Sequence, residues 1–473
     1  MNDSTHVERL APLDLPMPRT YIRVLLVFGP TGSRLQITQS LQGGLDRLSK
    51  QVRWLSGQVF PRPATPEKPS SLEIRWDANN TPTLIVKGTI ANTYRWASSH
   101  RMPIEAIPSD VWPVPSMIDD ALFATGAPVF AASVFGFADQ GVGLCVCLHH
   151  NAVDGTGLSE IIRLWSRNVA DPRFTFSSSS QNRSERLSEA LSFDLQATSA
   201  MSSEDLFSLH PEYSKTPPAL PENFPSCRCK LFAISIHWID ILKELMRRYT
   251  STALTTNTVI CALIWTTVTR VRMQSNPSLE NETTQLATAV NGRQRIGESF
   301  STLRSPFFGN AVFYALSKLP AGTLAASDEA PVRSLAKICD QITRSQSHFE
   351  INSRHIAEVY RLIDLMEDCT KSLFVGWDLF RSRDFTITSW ADLGLYEMDF
   401  GDGIGRPKFV RLPSMEADGV ALILPRQRGV PQEMLEIMVM LRSDHMDALE
   451  RDPMWQTLLS VGVDDEDGKK LNM

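Results

Sequence analysis

Residues 148–155, LHHNAVDG, set two histidines, an aspartate and a glycine at the end of the apolar run GVGLCVCL. An imidazole with an ordinary pKa near 6.5 takes a proton near neutrality and returns it later, so His150 is a candidate general base. Asp154, four residues on, could orient that ring or fix the turn. A second reading is a metal site using His149, His150 and Asp154, since zinc accepts such donors. The β-like run before the histidines, the absence of H-E-x-x-H and the lack of a further nearby ligand weigh against it. A third reading is a histidine whose ring is satisfied by a backbone carbonyl. A strand end before a Gly-flanked turn is nonetheless a common place for function in α/β proteins. The chain has no G-x-S-x-G elbow and no papain-like cysteine pattern. A base at His150 would therefore act directly on a substrate hydroxyl or amine.

A second concentration lies at 386–413, TITSWADLGLYEMDFGDGIGRPKFVRLP. Asp399-Phe400-Gly401 resembles the kinase tripeptide, but the H-R-D loop, the V-A-I-K lysine and the G-x-G-x-x-G loop are missing. Its aspartates are too few for a calcium loop, which also needs a terminal glutamate. The glycines at 401, 403 and 405 instead predict a tight, irregular turn.

These motifs need elements to hold them. Strand patterns run over Tyr21–Phe28, Thr83–Lys87, Val129–Phe137 and Gly143–His149. Leu41, Leu45, Leu48, Val52 and Leu55 share one helical face despite Gly43 and Gly44. Leu158, Ile161, Ile162, Trp165 and Val169 predict a helix after His150 that ends at Asp171-Pro172. Residues 174–226, with SSSS, NRSERLSEALS and TPPALPENFPS, read as a linker. Beyond it, helices are expected at Ile236–Met246, Asn257–Arg272, Val332–His348 and Ala357–Glu367. Strands are expected at Leu286–Val290, Ala311–Ala315, Val420–Leu424 and Met434–Leu441. The acidic VDDEDGKK near the end reads as a solvated tail.

A chain of 473 residues predicts two domains. Its net charge of −6 lacks a polybasic block, arguing against nucleic acid or an anionic membrane as partner. The seven cysteines are scattered and odd in number, so reduced, buried thiols are expected rather than a disulfide or zinc framework. The first twenty residues have no apolar signal core, and no run is long enough to span a membrane. A cytoplasmic protein is expected.

Taken together and in order, the two motifs resemble the BAHD family of acyl-CoA-dependent acyltransferases, with signatures H-x-x-x-D-G and D-F-G-W-G. The resemblance covers nearly the whole chain. LAPLDLPMPRTYIRVLLVF resembles the opening strand, TTNTVICALIWTTVTRVR a helix with a Trp and a terminal Arg, VNGRQRI and FFGNAV the arginine and F-G-N segments, and TSWADLGLYEMDFG the approach to the second signature. DFGDGIGRP is two residues longer than the plant pattern and lacks its Trp, which resembles the fungal branch that includes trichothecene acetyltransferases.

That resemblance implies an α/β fold of two chloramphenicol-acetyltransferase-like domains of similar topology, residues 1–173 and 227–473, joined by a long crossover at 174–226. The active-site channel would lie between them. His150 would be the catalytic base and Asp154 its companion in the signature, pairing with Arg293 or Arg295; Asp399 would take the other arginine. Gly155 and Gly401 would shape the backbone near the site. Thr388 and Trp390 would lie where the oxyanion develops. The implied reaction is transfer of an acyl group, acetyl from acetyl-CoA, to a hydroxyl of a fungal secondary metabolite, without a metal and by a monomer. Three alternatives stand beside it: N-acylation, a non-catalytic binding shell, and condensation chemistry on carrier-bound acyl groups.

Overall fold

The computed structural model describes residues 5–30, 32–65, 69–177, 181–325 and 330–460. The acidic tail and three of the four serines of SSSS lie outside these.

The run that carries the histidines becomes the strand Val142–His149, and every residue of it is buried. Its lack of polar alternation follows from its place in the middle of a five-stranded sheet, between Tyr21–Phe28 and Phe130–Gly136. Ile85–Thr89 forms one edge. The helices Arg34–Gln51 and Gly155–Ala170 cover this sheet with Leu41, Leu45, Leu48, Leu158, Ile161, Ile162 and Trp165, all inside one apolar cluster. Trp165 also donates from Nε1 to the carbonyl of Leu41 at 2.9 Å, satisfying the one polar atom it brings into the core. A smaller four-stranded sheet, Thr5–Arg9, Ser71–Asp77, Gln58–Arg62 and Ala127–Pro128, stands beside it.

The second half builds a six-stranded sheet in the order Cys227–Ser235, Met434–Arg442, Val420–Ile423, Phe385–Ser389, Thr283–Asn291 and Val312–Pro320. Its central pairings, Phe385–Ser389 with both neighbours, are parallel. The helices Ile236–Met246, Thr256–Ser275 and Pro331–Ser345 contribute to the apolar cluster on one face of the sheet. Trp265, on the second of these, is wholly buried.

Two expectations about boundaries are corrected. The second domain is not a continuous 227–473: Phe409–Arg411 leaves it to pair antiparallel with Tyr21–Phe28 as the fifth strand of the first sheet. Phe400, Ile404, Val410 and Leu412 are buried in the first domain's cluster, so the apolar content of this excursion has its core there. The 174–226 segment is also more ordered than its composition suggests. It holds the helices Arg183–Ala190, Ser192–Ala197 and Ser203–Leu209. The polar residues that read as linker act as caps. Asn182 with Glu185, and Ser202 with Asp205, form reciprocal capping boxes.

The thiols described are free: Cys145, Cys147, Cys261 and Cys339 are buried, Cys227 and Cys229 half-buried. Burial pushes the thiols of Cys145, Cys261 and Cys339 up to about 12, which keeps them protonated and poor nucleophiles. Among the described residues, no helix is long and apolar enough to cross a membrane.

Candidate active site

His149 is the last residue of its strand, so the backbone turns at His150. The amide of His150 donates to the carbonyl of Thr20 at 2.9 Å, and its carbonyl accepts from Asn310 Nδ2 at 2.9 Å. The first contact lies within the first domain, and the second comes from the second. His149 alternates inward: it is fully buried, edge-on to Tyr21 at 5.8 Å, and its Nδ1 accepts from the amide of Asn151 at 3.2 Å. Burial, with the neighbouring His150, lowers its pKa to about 3, so it is a neutral core histidine.

His150 keeps partial exposure, whereas its Nδ1 is buried without a hydrogen-bond partner. Nε2 is not among the buried, unpartnered atoms. Burial lowers the pKa of His150, and this is only partly opposed by its own carbonyl, by Asp154, by Asn310 and by the backbone at Val153. The ring is therefore neutral at pH 7, the state a base must start from.

Asp154 is placed differently from a ring-orienting group. It caps the Gly155–Ala170 helix, Oδ1 accepting from the amide of Gly157 at 2.8 Å. Arg293 grips it two-pronged, Nη1 to Oδ2 at 2.8 Å and Nη2 to Oδ1 at 2.9 Å, and the amide of Ala311 adds 3.0 Å to Oδ2. Both oxygens are occupied, so Asp154 has no lone pair to spare for a metal with His149 and His150. The remaining donors of Arg293 reach the carbonyls of Phe307 and Gly309 and the side-chain oxygen of Asn291. One buried ion pair thus ties the start of the first domain's helix to the arginine and F-G-N segments of the second.

Of the two arginines considered, Arg293 makes this pair. Arg295 instead donates to the carbonyls of Gln346, Ser347 and Ile351. The expected link between Arg295 and Asp399 does not form. Asp399 is half exposed, faces Arg406 at 3.7 Å, and its Oδ1 accepts from the amide of Gly401 at 2.9 Å. Gly401 and Gly405 have φ of 84° and 76°, which makes the tight turn expected of them. Gly403 has no such φ, and a Cβ there meets nothing within 4 Å. The turn swings Phe400 into the first core, edge-on to Phe28 at 5.3 Å.

Thr388 lies on Phe385–Ser389. Phe385 and Ile387 point into the second domain's cluster, so alternation turns Thr388 to the opposite face. Its parallel partner is Leu422, which packs on the first domain's cluster, as does Met438 beyond it. Thr388 therefore faces the seam between the domains. Trp390 follows the strand, and its ring crosses the seam into the first cluster. A Cβ on Gly155 would come within 3.2 Å of the indole Nε1, so Trp390 sits over the first turn of the helix that follows His150.

Several residues of this site were not singled out from sequence. Asp14, wholly buried, accepts from both the amide and the side chain of Asn310, at 2.8 and 2.9 Å, and Ala11 donates to its other oxygen. Asn151 donates to the carbonyls of Asp14 and Met17. Arg183, from the crossover, donates to the carbonyl of Ala152 at 2.6 Å and lies 3.5 Å from Asp14. Gly157 is a further case, because a Cβ there would stand 2.1 Å from the carbonyl oxygen of Phe308. The available signals were an acid among Leu and Pro in LAPLDLP, and a glycine two places past D-G.

The surrounding clefts differ in charge. One of about 750 Å³ beside the Asp399 turn is walled by Glu160, Glu397, Asp399 and Asp402 against Arg163 and Arg167, a poor setting for a polyphosphate. Another of about 790 Å³ carries Arg9, Lys50, Arg53, Arg183 and Arg186 against Glu8.

Comparison with known proteins agrees with this geometry. A model described as "Transferase family" matches residues 117–455, and one described as "Trichothecene 3-O-acetyltransferase-like N-terminal domain" matches 20–169. The O-acetyltransferase ptmV of Penicillium ochrochloron is 24% identical, with 94% of this chain and 95% of that one aligned. The trichothecene 8-O-acetyltransferase of Fusarium sporotrichioides is also 24% identical, over 95% and 97% of the two chains. Among solved structures, F. sporotrichioides TRI101 complexed with coenzyme A and T-2 superposes with a TM-score of 0.77 at 20% identity, covering 96% of this chain and 98% of that one. Vinorine synthase gives 0.63 at 16%, over 97% and 95%. The shared fold is therefore the two-domain α/β fold of those structures.

Proposed function

The chain belongs to the Transferase family, the BAHD acyl-CoA-dependent acyltransferases, and we propose that it acetylates a hydroxyl group of a secondary metabolite using acetyl-CoA. His150 is the base in this reading. Its Nε2 removes the proton from the acceptor hydroxyl as the oxygen attacks the thioester carbonyl. The tetrahedral intermediate collapses with cleavage of the C–S bond, and the imidazolium returns the proton to the departing CoA thiolate. Thr388 and the Trp390 indole N–H, both at the seam, are the donors assigned to the oxyanion, where one pre-placed donor is worth about 10²–10³ in rate. Asp154 acts through Arg293 as a positioning residue.

The observation that carries this reading is the setting of His150. It is neutral, it sits at a central strand end, its Nδ1 is buried, and its backbone is held by both domains. The O-acetyltransferase names of the relatives support hydroxyl acceptors and an acetyl donor. The same reading has the protein working in the cytoplasm as a monomer. The test is thiol release from acetyl-CoA against hydroxylated terpenoid, alkaloid and polyketide acceptors. His150→Ala, its folding checked by circular dichroism, is expected to lose about 10²–10⁴ of the acceptor-dependent rate. Equal release by wild type and a folded variant would remove His150 as the base.

A further inference from the structure

Away from His150, the crossover and the helix Ser353–Asp364 bring together three side chains that suit a metal: His210, Glu212 and His355. His210 and Glu212 follow the helix Ser203–Leu209, and both are buried. Their donor atoms and that of His355 all lie within 4.8 Å of one another. Glu212 Oε1 is 3.1 Å from His210 Nδ1 and 3.2 Å from His355 Nε2, and the two rings meet edge-on at 4.6 Å.

The distal nitrogen of His210, Nε2, lies 3.2 Å from Glu358 Oε2, and the other oxygen of Glu358 accepts from Arg354. Both ring nitrogens of His210 thus meet carboxylate oxygens, Nε2 that of Glu358 and Nδ1 that of Glu212. His355 Nε2 is buried beside that same oxygen without a properly directed hydrogen bond. Three side chains of metal-ligand type therefore converge on one spot, their ligand atoms within 4.8 Å of one another.

We propose that His210, Glu212 and His355 bind one divalent cation of the zinc class, which fastens the crossover to the second domain. Two imidazoles and one carboxylate are a zinc donor set. At metal–ligand distances near 2.0–2.1 Å, tetrahedral donors stand about 3.3 Å apart, close to the 3.1 and 3.2 Å from Glu212 to the two histidines, whose own nitrogens lie within 4.8 Å of each other. Glu358 on the far nitrogen of His210 is the outer carboxylate that metal-bound histidines use to fix their tautomer. A fourth position remains for water, and His355, with 16% of its side chain exposed, gives the ion a path in. The role is structural. The ring of Phe313 packs on His355 at 6.3 Å and also against Gly292, beside Arg293, so the cation would brace the loop that grips Asp154.

The experiment uses untagged full-length protein, stripped with a chelator and titrated with zinc chloride, then separately with cobalt chloride. The expected result is uptake of one zinc ion per chain, a higher unfolding temperature on zinc addition, and a visible cobalt spectrum of tetrahedral nitrogen and oxygen ligation. His355→Ala and Glu212→Gln are expected to weaken zinc uptake at least about 100-fold. Stripped protein that takes up no zinc overturns the proposal, as does uptake unchanged in both variants. The cluster is then held by protons alone, with His210 doubly protonated between Glu212 and Glu358. If neither variant folds, the wild-type cobalt spectrum decides: a thiolate charge-transfer band would move the ion to cysteines and refute the site.

Discussion

Asp154→Asn changes one oxygen for an NH₂ group in a place where every neighbour is a donor. Asp154 is fully buried and Arg293 is 3% exposed, so neither can turn to water. Whichever way the new amide points, its nitrogen faces N–H groups: Arg293 Nη1 and the amide of Ala311 on one side, Arg293 Nη2 and the amide of Gly157 on the other. Removing one partner of such a pair strands the guanidinium, at a cost of about 4 kcal/mol. With an unfolding entropy of roughly 2.1 cal/mol/K per residue, a chain this long loses about 4 °C of Tm for that energy. Urea unfolding and a thermal scan measure both. The companion is the double variant Asp154→Asn with Arg293→Met, which removes the stranded guanidinium and is expected to cost less than the sum of the two single changes. Activity per folded molecule, assayed at low temperature, is expected to fall less than about tenfold in Asp154→Asn, far short of a lost general base. A variant within about 1 kcal/mol of wild type but slowed more than a hundredfold would refute the reasoning and put Asp154 into the chemistry of His150.

Gly157→Ala places a methyl 2.1 Å from a backbone carbonyl that belongs to the other domain, and is expected to cost about 3 kcal/mol by urea unfolding. Gly403→Ala, in open space, should stay within about 0.5 kcal/mol, and equal effects would show that the Gly157 contact is not tight. Because burial lowers the pKa of His150, kcat/KM should be flat through pH 7 and fall with one proton below 6.5; a limb centred above 7 contradicts a neutral base. The buried His149 binds a proton only at about 3 when folded but near 6.5 when unfolded, so stability is lost as pH falls from 6.5 toward 3. At pH 5 the loss is about 2 kcal/mol. His149→Gln should flatten the dependence of the urea midpoint over that range, and an unchanged slope would count against it.

How much of this was readable beforehand varied with the physics of each part. Tyr21–Phe28 and Ile236–Met246 begin and end where their patterns do, because continuous apolar runs and 3.6-residue spacing are local properties. The turn at His150 was readable for a similar reason, with an apolar strand ending just before D-G. The crossover misled, because Ser and Asn are frequent both in loops and at helix starts, and only the pairing of Asn182 with Glu185 and of Ser202 with Asp205 distinguishes them. The excursion of Phe409–Arg411 into the first sheet left no local mark, since a strand does not record which edge it joins.

The sequence alone determined the chemistry on offer: a histidine after a buried strand, an aspartate and glycines to turn the chain, an arginine pair, and a Thr-Ser-Trp lead to a glycine-rich turn. Those are properties of residue type and short spacing. The tertiary structure decided the partners, because a carboxylate's role depends on which donors surround it once water is gone. Asp154 went to Arg293, Arg295 to three carbonyls, Asp399 to the surface, Asp14 to Asn310, and Asn310 to the carbonyl of His150, across separations that no local pattern encodes.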